Sequence, residues 1–383
     1  MPNYIKADQF FYPHGVRRGG YLELVDGKFG KHVEQIPEGA EVIDYTGYSI
    51  APGLVDTHIH GFGGVDVMDN NIEGTLHTMS EGLLSTGVTS FLPTTLTSSY
   101  EQLLAVTENI GARYREASGA KIRGIYFEGP YFTEKYKGAQ NPAYMKDPRM
   151  DEFRAWQKAA NGLLNKIALA PEREGVEDFV RTITGEGVTV ALGHSNATFD
   201  EAKKAVDAGA SVWVHAYNGM RGLTHRELGM VGAMYELPHT YAELICDGHH
   251  VDPKACDILL KQKGTENIAL ITDCMTAGGL EDGDYMLGEF PVVVVNGTAR
   301  LKSTGNLAGS ILKLKDGLKN VVEWGIANPH EAVMMASLNP AKSVHIDDVC
   351  GQIREGYDAD FIVLDKDLEL VATYLDGVKR YQA

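Results

Sequence analysis

The sequence predicts a (β/α)8 barrel, the TIM-barrel fold of the α/β class, with a small β-sandwich domain formed by the two ends of the chain. From about residue 51, eight short apolar segments rich in strand-forming residues alternate with longer segments of helical periodicity. Both ends of the chain instead show strands punctuated by turn residues, as in YLELVDGKFG and YLDGVKRY. We therefore expect residues 1–50 and 345–383 to form the small domain and residues 51–344 to form the barrel.

The barrel prediction depends on the number of βα units. Eight units over residues 51–344 fit a closed barrel better than a doubly wound sheet. The predicted strands are Ser49–Val55, Val88–Pro93, Ile122–Phe127, Ile167–Ala170, Val188–Leu192, Ser211–Val214, Ala242–Cys246 and Asn267–Ile271. The predicted helices are Glu73–Ser85, Tyr100–Glu116, Asp151–Leu164, Glu177–Glu186, Phe199–Ala208 and Pro253–Lys263, and later Ile311–Trp324 and Pro329–Ala336. Between the two sets, EFPVVVVNGTARLKS predicts a β-hairpin with an Asn-Gly turn.

Composition restricts the classes of partner. The 383 residues carry 35 basic and 52 acidic side chains, a net charge of −17. Nucleic acids and anionic membranes are bound through basic surface, so neither is an expected partner. The four cysteines form no CxxC pair, which argues against a disulfide framework and favours the cytoplasm. The start of the chain has no apolar signal-peptide region, and the apolar runs are too short to span a bilayer.

Potential metal ligands fall at the carboxyl ends of the predicted strands, the face on which barrel enzymes build their active sites. In GLVDTHIHGFGG, His58 and His60 are two residues apart, so an extended chain presents both on one face and they can hold one ion. Glu128 ends the third strand in IYFEGPYF, where an apolar setting makes a carboxylate costly unless it is paired or metal-bound. Taken singly, these are also consistent with two loop histidines and a salt-bridged structural acid.

Three further residues follow the same rule. His194 ends the fifth strand in VALGHS, His215 ends the sixth in VWVHAYNGM, and Asp273 ends the eighth in ALITDCMTAGG. Singly, the histidines could be hydrogen-bonded core residues and the aspartate a helix N-cap. Metal-compatible residues thus fall at five strand ends on one face of the predicted barrel, and chance is the weaker explanation for that pattern. Three or four nitrogen and oxygen ligands with an open position describe a catalytic Zn²⁺ or Fe²⁺ site, so the set predicts metal-assisted hydrolysis.

This series of residues resembles the amidohydrolase superfamily and, within it, the N-acetylglucosamine-6-phosphate deacetylase family. The resemblance runs through APGLVDTHIHGFGG, FEGPYF, KGAQNP, LGHSNATFDEA, VHAYNGM, ICDGHHVD, ITDCMTAGG, LAGS and GYDADFIVLD, and so covers essentially the whole chain. It implies hydrolysis of a phosphorylated N-acetyl amino sugar to acetate and the free amine. It also implies that Glu128, His194 and His215 hold the main metal, zinc or iron. His58 and His60 would supply a second ion bridged by Glu128, giving one or two ions per subunit.

The resemblance also implies roles around the metal. Asp273 is expected to be the general base and His250, in DGHHVD, a donor to the oxyanion. The substrate phosphate is expected to bind the backbone amides of Asn218 and Gly219 and the guanidinium of Arg226. The loop NGMRGLTHRELG that carries these residues is a basic island in an acidic chain, although an ordinary solvated loop would look similar.

Two more segments are expected to contact the substrate. Gln140, in KGAQNP, stands where many relatives carry histidine, and glutamine can still hydrogen-bond a sugar hydroxyl. Leu307, Ala308 and Gly309, in LAGS, are expected to line the acetyl pocket. Relatives of this kind are commonly dimers, so we expect a homodimer.

Three alternative functions remain open at this point. Another amidohydrolase, such as a D-aminoacylase, an isoaspartyl dipeptidase or an adenine deaminase, would use a similar set of ligands. Branches that bridge their metals with a carboxylated lysine are disfavoured, because Glu128 stands where the deacetylases place their acid. A non-catalytic scaffold would have no need of the ligands or of Asp273. A metal-dependent phosphatase is disfavoured because the resemblance places Arg226 away from the metal.

Overall fold

The N-terminal segment forms five strands that precede the barrel. The structure, a computed structural model, describes residues 3–69 and 74–383. In chain order the first strands are β1 (Asn3–Tyr12), β2 (Gly15–Arg18), β3 (Tyr21–Val25), β4 (Lys28–Val33), β5 (Val42–Pro52), β6 (Leu54–Ile59), β7 (Gly61–Phe62) and β8 (Val65–Asp66). β6 is the first strand of the barrel, and β7 and β8 form a short antiparallel pair after it.

The middle of the chain alternates helices and strands. In order they are α1 (Thr75–Leu83), β9 (Val88–Thr95), α2 (Tyr100–Arg113), β10 (Lys121–Ile122), β11 (Ile125–Tyr131), α3 (Met150–Ala159), β12 (Leu164–Leu169), α4 (Val176–Thr184), β13 (Thr189–Leu192), α5 (Phe199–Asp207), β14 (Val212–Trp213), α6 (Gly229–Glu236), β15 (Tyr241–Leu244), α7 (Pro253–Lys263) and β16 (Ile268–Leu270). The remaining elements are β17 (Gly283–Leu287), β18 (Phe290–Val295), β19 (Thr298–Leu301), α8 (Leu314–Glu323), α9 (Pro329–Ala336), α10 (Leu338–Ser343), β20 (Phe361–Leu364), β21 (Leu370–Leu375) and β22 (Val378–Gln382).

Eight parallel strands form the barrel, in the order β6, β9, β11, β12, β13, β14, β15 and β16. The ring closes between its last and first strands, where Asp273 N donates to His58 O at 2.9 Å and Cys274 pairs with Ile59. β9 and β11 are buried along their whole length, as parallel strands covered on both faces require. The predicted (β/α)8 barrel is confirmed, and its carboxyl ends gather the segments that carry the predicted ligands.

The helices follow the apolar periodicity of the sequence. In α4, for example, Val176, Phe179, Val180 and Ile183 are buried, which is the spacing of one helix face. The predicted helix Glu73–Ser85 is observed as α1 followed by a 3-10 turn, while Glu73 itself lies outside the described residues. Among the described residues, no helix is long and apolar enough to cross a membrane.

The structure differs from the predictions in several local details, and the strand predicted at Ile122–Phe127 is split between β10 and β11. The strand predicted at Ser49–Val55 is split between β5 and β6 at Gly53, whose N–H donates to Asp360 O at 3.0 Å. The helix α6 was not predicted, because its sequence GMVGAMYE is apolar on nearly every side and shows no amphipathic period. None of these differences moves a predicted ligand away from its strand end.

The two ends of the chain meet as predicted. β20 pairs antiparallel with β5, and the sheet continues in the order β22, β21, β20, β5, β1, β3 and β4. Phe10, Phe29 and Phe361, from different parts of this path, share one buried cluster, as in a β-sandwich. The exact division at residues 50 and 345 stays a prediction, since β5 crosses the first boundary and Ile346 packs with barrel residues.

A cluster of ion pairs joins the barrel to the terminal strands. Lys121 Nζ, on β10, lies 2.9 Å from carboxylate oxygens of both Asp358 and Asp360 and 2.7 Å from Asp376. Arg123 Nη2 lies 3.1 Å from Asp358. Burial raises the pKa of the Asp358 carboxyl, but hydrogen bonds from lysines outweigh it and hold the pKa well below its usual range. Asp358 therefore stabilises the fold in its ionised form.

We expect Asp358→Asn to lower the free energy of unfolding at pH 7 by an amount that vanishes in acid. Because the folded-state pKa is depressed, this stabilisation is present above the unfolded pKa of about 4 and is lost as the pH falls towards the folded value. Denaturant unfolding of both proteins at pH 7, 5, 4 and 3 measures the gap. The control is Asp367→Asn, whose side chain is 63% exposed and pairs with neighbouring Lys366. A difference in the free energy of unfolding that stays constant with pH would contradict stabilisation by the ionised Asp358 carboxylate.

Candidate functional site

Six predicted residues converge in one buried group at the carboxyl end of the barrel. Glu128 lies at its centre, with Oε1 3.1 Å from the Nε2 atoms of both His194 and His215. Its other oxygen, Oε2, lies 3.2 Å from His60 Nε2. All are less than a tenth exposed. The six are His58 and His60 from β6 and its end, Glu128 from β11, and His194, His215 and Asp273 from the ends of β13, β14 and β16.

Asp273 closes the group on the side of the His-x-His pair. Its Oδ1 lies 3.1 Å from His60 Nε2 and 3.5 Å from His58 Nε2. Burial raises the pKa values of Asp273 and Glu128, but the facing histidines outweigh burial and hold both values below the usual range. Both carboxylates are therefore ionised at neutral pH, as a metal ligand and a general base must be.

The four imidazoles all present the same nitrogen to the centre. Each donates from Nδ1 to a carbonyl or carboxylate oxygen, which can only accept, so the proton is fixed on Nδ1. In the neutral ring the lone pair on each Nε2 then faces Glu128 and Asp273, which is the orientation of histidine ligands in metal sites. A ring that also carries a proton on Nε2 attracts these carboxylates instead, and it is this attraction that lowers their pKa values. The acceptors are Glu243 Oε2 for His58 (3.1 Å), Thr94 O for His60 (3.1 Å), Tyr136 O for His194 (2.8 Å) and Asn218 O for His215 (3.1 Å).

The donor chemistry fits a divalent cation. His194 Nε2 and His215 Nε2 lie 3.0 Å apart beside a carboxylate, an arrangement in which two lone pairs repel unless a cation lies between them. His58 Nε2 is buried and has no hydrogen-bond partner among the described residues. The ligand atoms form two groups, His58–His60–Asp273 and Glu128–His194–His215, and within each group they lie within 4.8 Å of one another.

Backbone strain is concentrated at three of these residues. His194, His215 and Asp273 have φ angles of 46°, 26° and 50°, in the left-handed region that residues other than glycine rarely adopt. Each such residue costs on the order of 1–3 kcal/mol and persists only where its surroundings determine it. All three follow a barrel strand directly or nearly so, where the sharp turn brings the side chain over the mouth of the barrel.

A cavity with an empty volume of about 580 Å³ opens over the group. Two predicted substrate residues are not among those that line it. Ala308 is fully buried, and Arg226 is an exposed residue of its loop. The predicted residues that do line the cavity are His60, Glu128, Gln140, His194, His215, Asn218, Gly219, His250, Asp273, Leu307 and Gly309.

Comparison with known proteins identifies the family. The amidohydrolase family matches residues 49–380, which is most of the chain. The chain belongs to the amidohydrolase family. The predicted resemblance is therefore confirmed, and the chain is a hydrolytic enzyme of a family that depends on divalent metals.

Individual amidohydrolase relatives are similar over nearly the whole chain. The N-acetylglucosamine-6-phosphate deacetylase of Vibrio furnissii is 39% identical over 357 residues, covering 93% of this chain and 86% of the relative. The N-acetylgalactosamine-6-phosphate deacetylase of Escherichia coli O157:H7 is 38% identical over 378 residues, covering 98% and 99%. A solved mutant of the Mycobacterium smegmatis N-acetyl-D-glucosamine-6-phosphate deacetylase, in complex with N-acetyl-D-glucosamine-6-phosphate, has a TM-score of 0.94 and 30% identity, with both chains fully covered.

Within this amidohydrolase site, Gln140 hydrogen-bonds Glu128. Its Nε2 donates to Glu128 Oε2 at 2.5 Å and its Oε1 accepts from Thr97 N at 2.7 Å. The side chain is buried, so both ends of the amide are already engaged. Its predicted contact with a sugar hydroxyl stays a prediction, and it would use the second N–H or the second oxygen lone pair of the amide.

His250 is held by its own carboxylate. Its Nδ1 lies 2.6 Å from Asp247 Oδ2, and Asp247 Oδ1 accepts from the backbone N–H groups of His249 and His250 at 2.8 Å each. Burial raises the pKa of Asp247, but the interactions with His250 outweigh it and lower the pKa below its usual value. Because the Asp247 carboxylate accepts from Nδ1, His250 can donate from Nε2 only when both ring nitrogens carry a proton.

The two predicted phosphate amides differ in availability. Asn218 N already donates to His215 O at 3.0 Å, within the turn that also fixes the His215 ring. Gly219 N has no hydrogen-bond partner among the described residues, and its φ of 60° suits glycine. Of the two, Gly219 is the better placed to donate to an anion.

Sequence reasoning missed Lys166 and Glu243. Both are fully buried, on β12 and β15, and they form an ion pair inside the barrel beneath the histidines. A signal was present, because Lys166 interrupts the apolar strand LNKIAL and Glu243 interrupts YAEL. Charged residues within buried strands need an opposite partner, so the sequence marked each of the two as needing one, although it did not show that they pair with each other.

Proposed function

We propose that this amidohydrolase removes the acetyl group from N-acetylglucosamine 6-phosphate by hydrolysis, releasing acetate and glucosamine 6-phosphate. The observation that carries the proposal is the convergence of four Nε2 atoms on Glu128 and Asp273 at the floor of one cavity. Deacetylases of N-acetylated hexosamine 6-phosphates are relatives over nearly the full length of the chain.

The residues that would hold the metal follow from the two ligand groups. Glu128, His194 and His215 would hold one cation, zinc or iron, and the group of His58, His60 and Asp273 would hold a second. When bound, a divalent cation polarises the amide carbonyl and lowers the pKa of water from near 16 to roughly 7. That the metal is zinc or iron, and that each subunit binds one or two ions, are parts of the proposal.

Proton transfer is assigned to Asp273. The ionised carboxylate takes a proton from the attacking water, whose oxygen bonds to the acetyl carbonyl carbon. His250, oriented by Asp247, faces the same cavity and donates to the carbonyl oxygen as it gains negative charge. The C–N bond then breaks as the nitrogen receives the proton from Asp273, and acetate and the amine leave.

The test is acetate release from N-acetylglucosamine 6-phosphate, its galactosamine epimer and unphosphorylated N-acetylglucosamine, with and without a chelator. The epimer is included because one relative of 38% identity is an N-acetylgalactosamine-6-phosphate deacetylase. Fast release from the phosphorylated glucosamine, abolished by chelation and restored by zinc or iron, is the expected result. Faster acetate release from the galactosamine epimer would make that sugar the substrate instead. If metal-loaded protein releases no acetate from any of the three sugars, the proposal is wrong.

We expect Arg226→Ala to lower kcat/KM for the phosphorylated sugar by about 10- to 100-fold, since a hydrogen bond to a charged group contributes about 1.5–3 kcal/mol. Turnover of unphosphorylated N-acetylglucosamine should not change. The matched control is Arg18→Ala, an exposed arginine of β2. Equal losses for both sugars would remove Arg226 from the phosphate site.

A homodimer and a cytoplasmic location also stay predictions, and sedimentation of the purified chain tests the first.

A further inference from the structure

A buried ion pair crosses the interior of the barrel below the ligand groups. Lys166 Nζ contacts Glu243 Oε1, and both side chains are fully buried. The ammonium also lies 3.4 Å from Thr57 O and 3.8 Å from the centre of the Tyr126 ring. The Tyr126 ring in turn packs edge-on against His58, with ring centres 4.9 Å apart. Glu243 and Tyr126 thus both contact the His58 ring, and Lys166 contacts both of them.

The second oxygen of Glu243 contacts both ligand groups. Oε2 accepts from His58 Nδ1 at 3.1 Å and from the backbone N–H of His215 at 3.2 Å. His58 belongs to the group with His60, and His215 to the group with Glu128. One carboxylate oxygen therefore fixes the tautomer of a ligand in the first group and the strained backbone of a ligand in the second.

His58 is held differently from the other three histidines. Their Nδ1 atoms donate to backbone carbonyls, whose positions are set by the fold. The acceptor for His58 is a charged side chain, which makes the imidazole a stronger ligand but must itself be neutralised in a dry interior. Lys166 supplies that neutralisation and contacts Oε1 of Glu243, the oxygen that His58 does not use.

We propose that Glu243 and Lys166 are positioning residues that set the affinity of the His58–His60–Asp273 group for a cation. The proposal rests on the metal binding included in the proposed function. Glu243 aims His58 Nε2 at the ion and keeps its proton on Nδ1, while Lys166 keeps Glu243 charged and in place. Acceptors of this kind change metal affinity about 10- to 100-fold when they are removed.

Two double variants separate this role from simple packing. Lys166→Met with Glu243→Leu removes both charges and the acceptor, and it replaces a buried ion pair by apolar groups of similar size. Lys166→Met with Glu243→Gln also removes both charges but keeps a carbonyl oxygen that can accept from His58. The readouts are metal equivalents per chain, dissociation constants from chelator competition, and the absorption spectrum of the cobalt-substituted protein.

The expected result is two ion equivalents for the wild type. The Leu variant should bind one of them at least tenfold more weakly, with a changed cobalt spectrum, and the Gln variant should recover most of that affinity. The affinity for the ion held by Glu128, His194 and His215 should fall less, because the contacts of the His194 and His215 rings are unchanged. Wild-type affinity for both ions in the Leu variant, or a wild type that binds a single ion, would overturn the proposal. Acetate release by the wild type is measured separately, so a failure of the proposed reaction is not confused with this outcome.

Discussion

Asp273→Asn is expected to lower kcat by about three orders of magnitude or more, within the range that a positioned general base contributes together with activation of the water. The amide has the shape of the carboxylate but cannot take a proton at neutral pH. The ion assigned to Glu128, His194 and His215 should remain, because Asp273 is not in that group. Steady-state kinetics of acetate release and metal analysis of the same preparation measure both effects.

The matched control for this variant is Asp284→Asn. Asp284 lies on β17, and its exposed side chain pairs with Lys302 on the surface. The same chemical change there should leave kcat within about twofold, since exposed pairs contribute little. Near-native turnover by Asp273→Asn would show that another group takes the proton. Loss of all metal would show instead that Asp273 is needed to form the site.

The convergence of the six candidate residues could be predicted because barrel geometry brings residues that are far apart in the sequence to one end of the fold. All parallel strands of a barrel end on one face, so locating the strands also locates the residues that follow them. Errors of a few residues in the strand ends did not matter, because His194 and Asp273 lie beyond the last paired residues of β13 and β16. The prediction therefore depended on the number and order of the strands.

The contacts below and around the ligands could not be read in the same way. The pairing of Lys166 with Glu243 depends on which positions of strands β12 and β15 face the axis at the same depth, which is set by the stagger between strands. The engagement of Gln140 with Glu128 depends on the path of an irregular loop. Local sequence carries neither kind of information, although the cost of burying charge did mark Lys166 and Glu243 as needing partners.

The placement of substrate residues shows the same limit. Arg226 lies in a loop that local composition marked as basic, yet the loop leaves its side chain exposed and outside the lining of the cavity. The N–H of Asn218 is used within a turn, which depends on the φ and ψ angles of residues that the sequence does not specify. Both specific assignments came from the resemblance and stay predictions, and the kinetic test of Arg226 checks the first of them.

Lys166→Met is expected to destabilise the fold by about 3–5 kcal/mol, the usual cost of removing one partner of a buried ion pair. Burial alone would raise the pKa of the Glu243 carboxyl, but Lys166 and His58 lower it to about 2. Without Lys166 the carboxylate must either stay charged in the barrel interior or take up a proton. Denaturant unfolding of the metal-free proteins, compared at their midpoints, measures the loss.

The control for the charge is Lys302→Met, which removes an exposed lysine from its pair with Asp284 and should cost less than about 1 kcal/mol. The control for the pair is Lys166→Met combined with Glu243→Leu, which should be more stable than Lys166→Met alone because no charge is left unpaired. If Lys166→Met unfolds at the midpoint of Lys302→Met, Glu243 does not depend on Lys166 for its charge. In that case the pair contributes little to stability, and its contact with His58 would be the remaining reason for two charged residues inside the barrel.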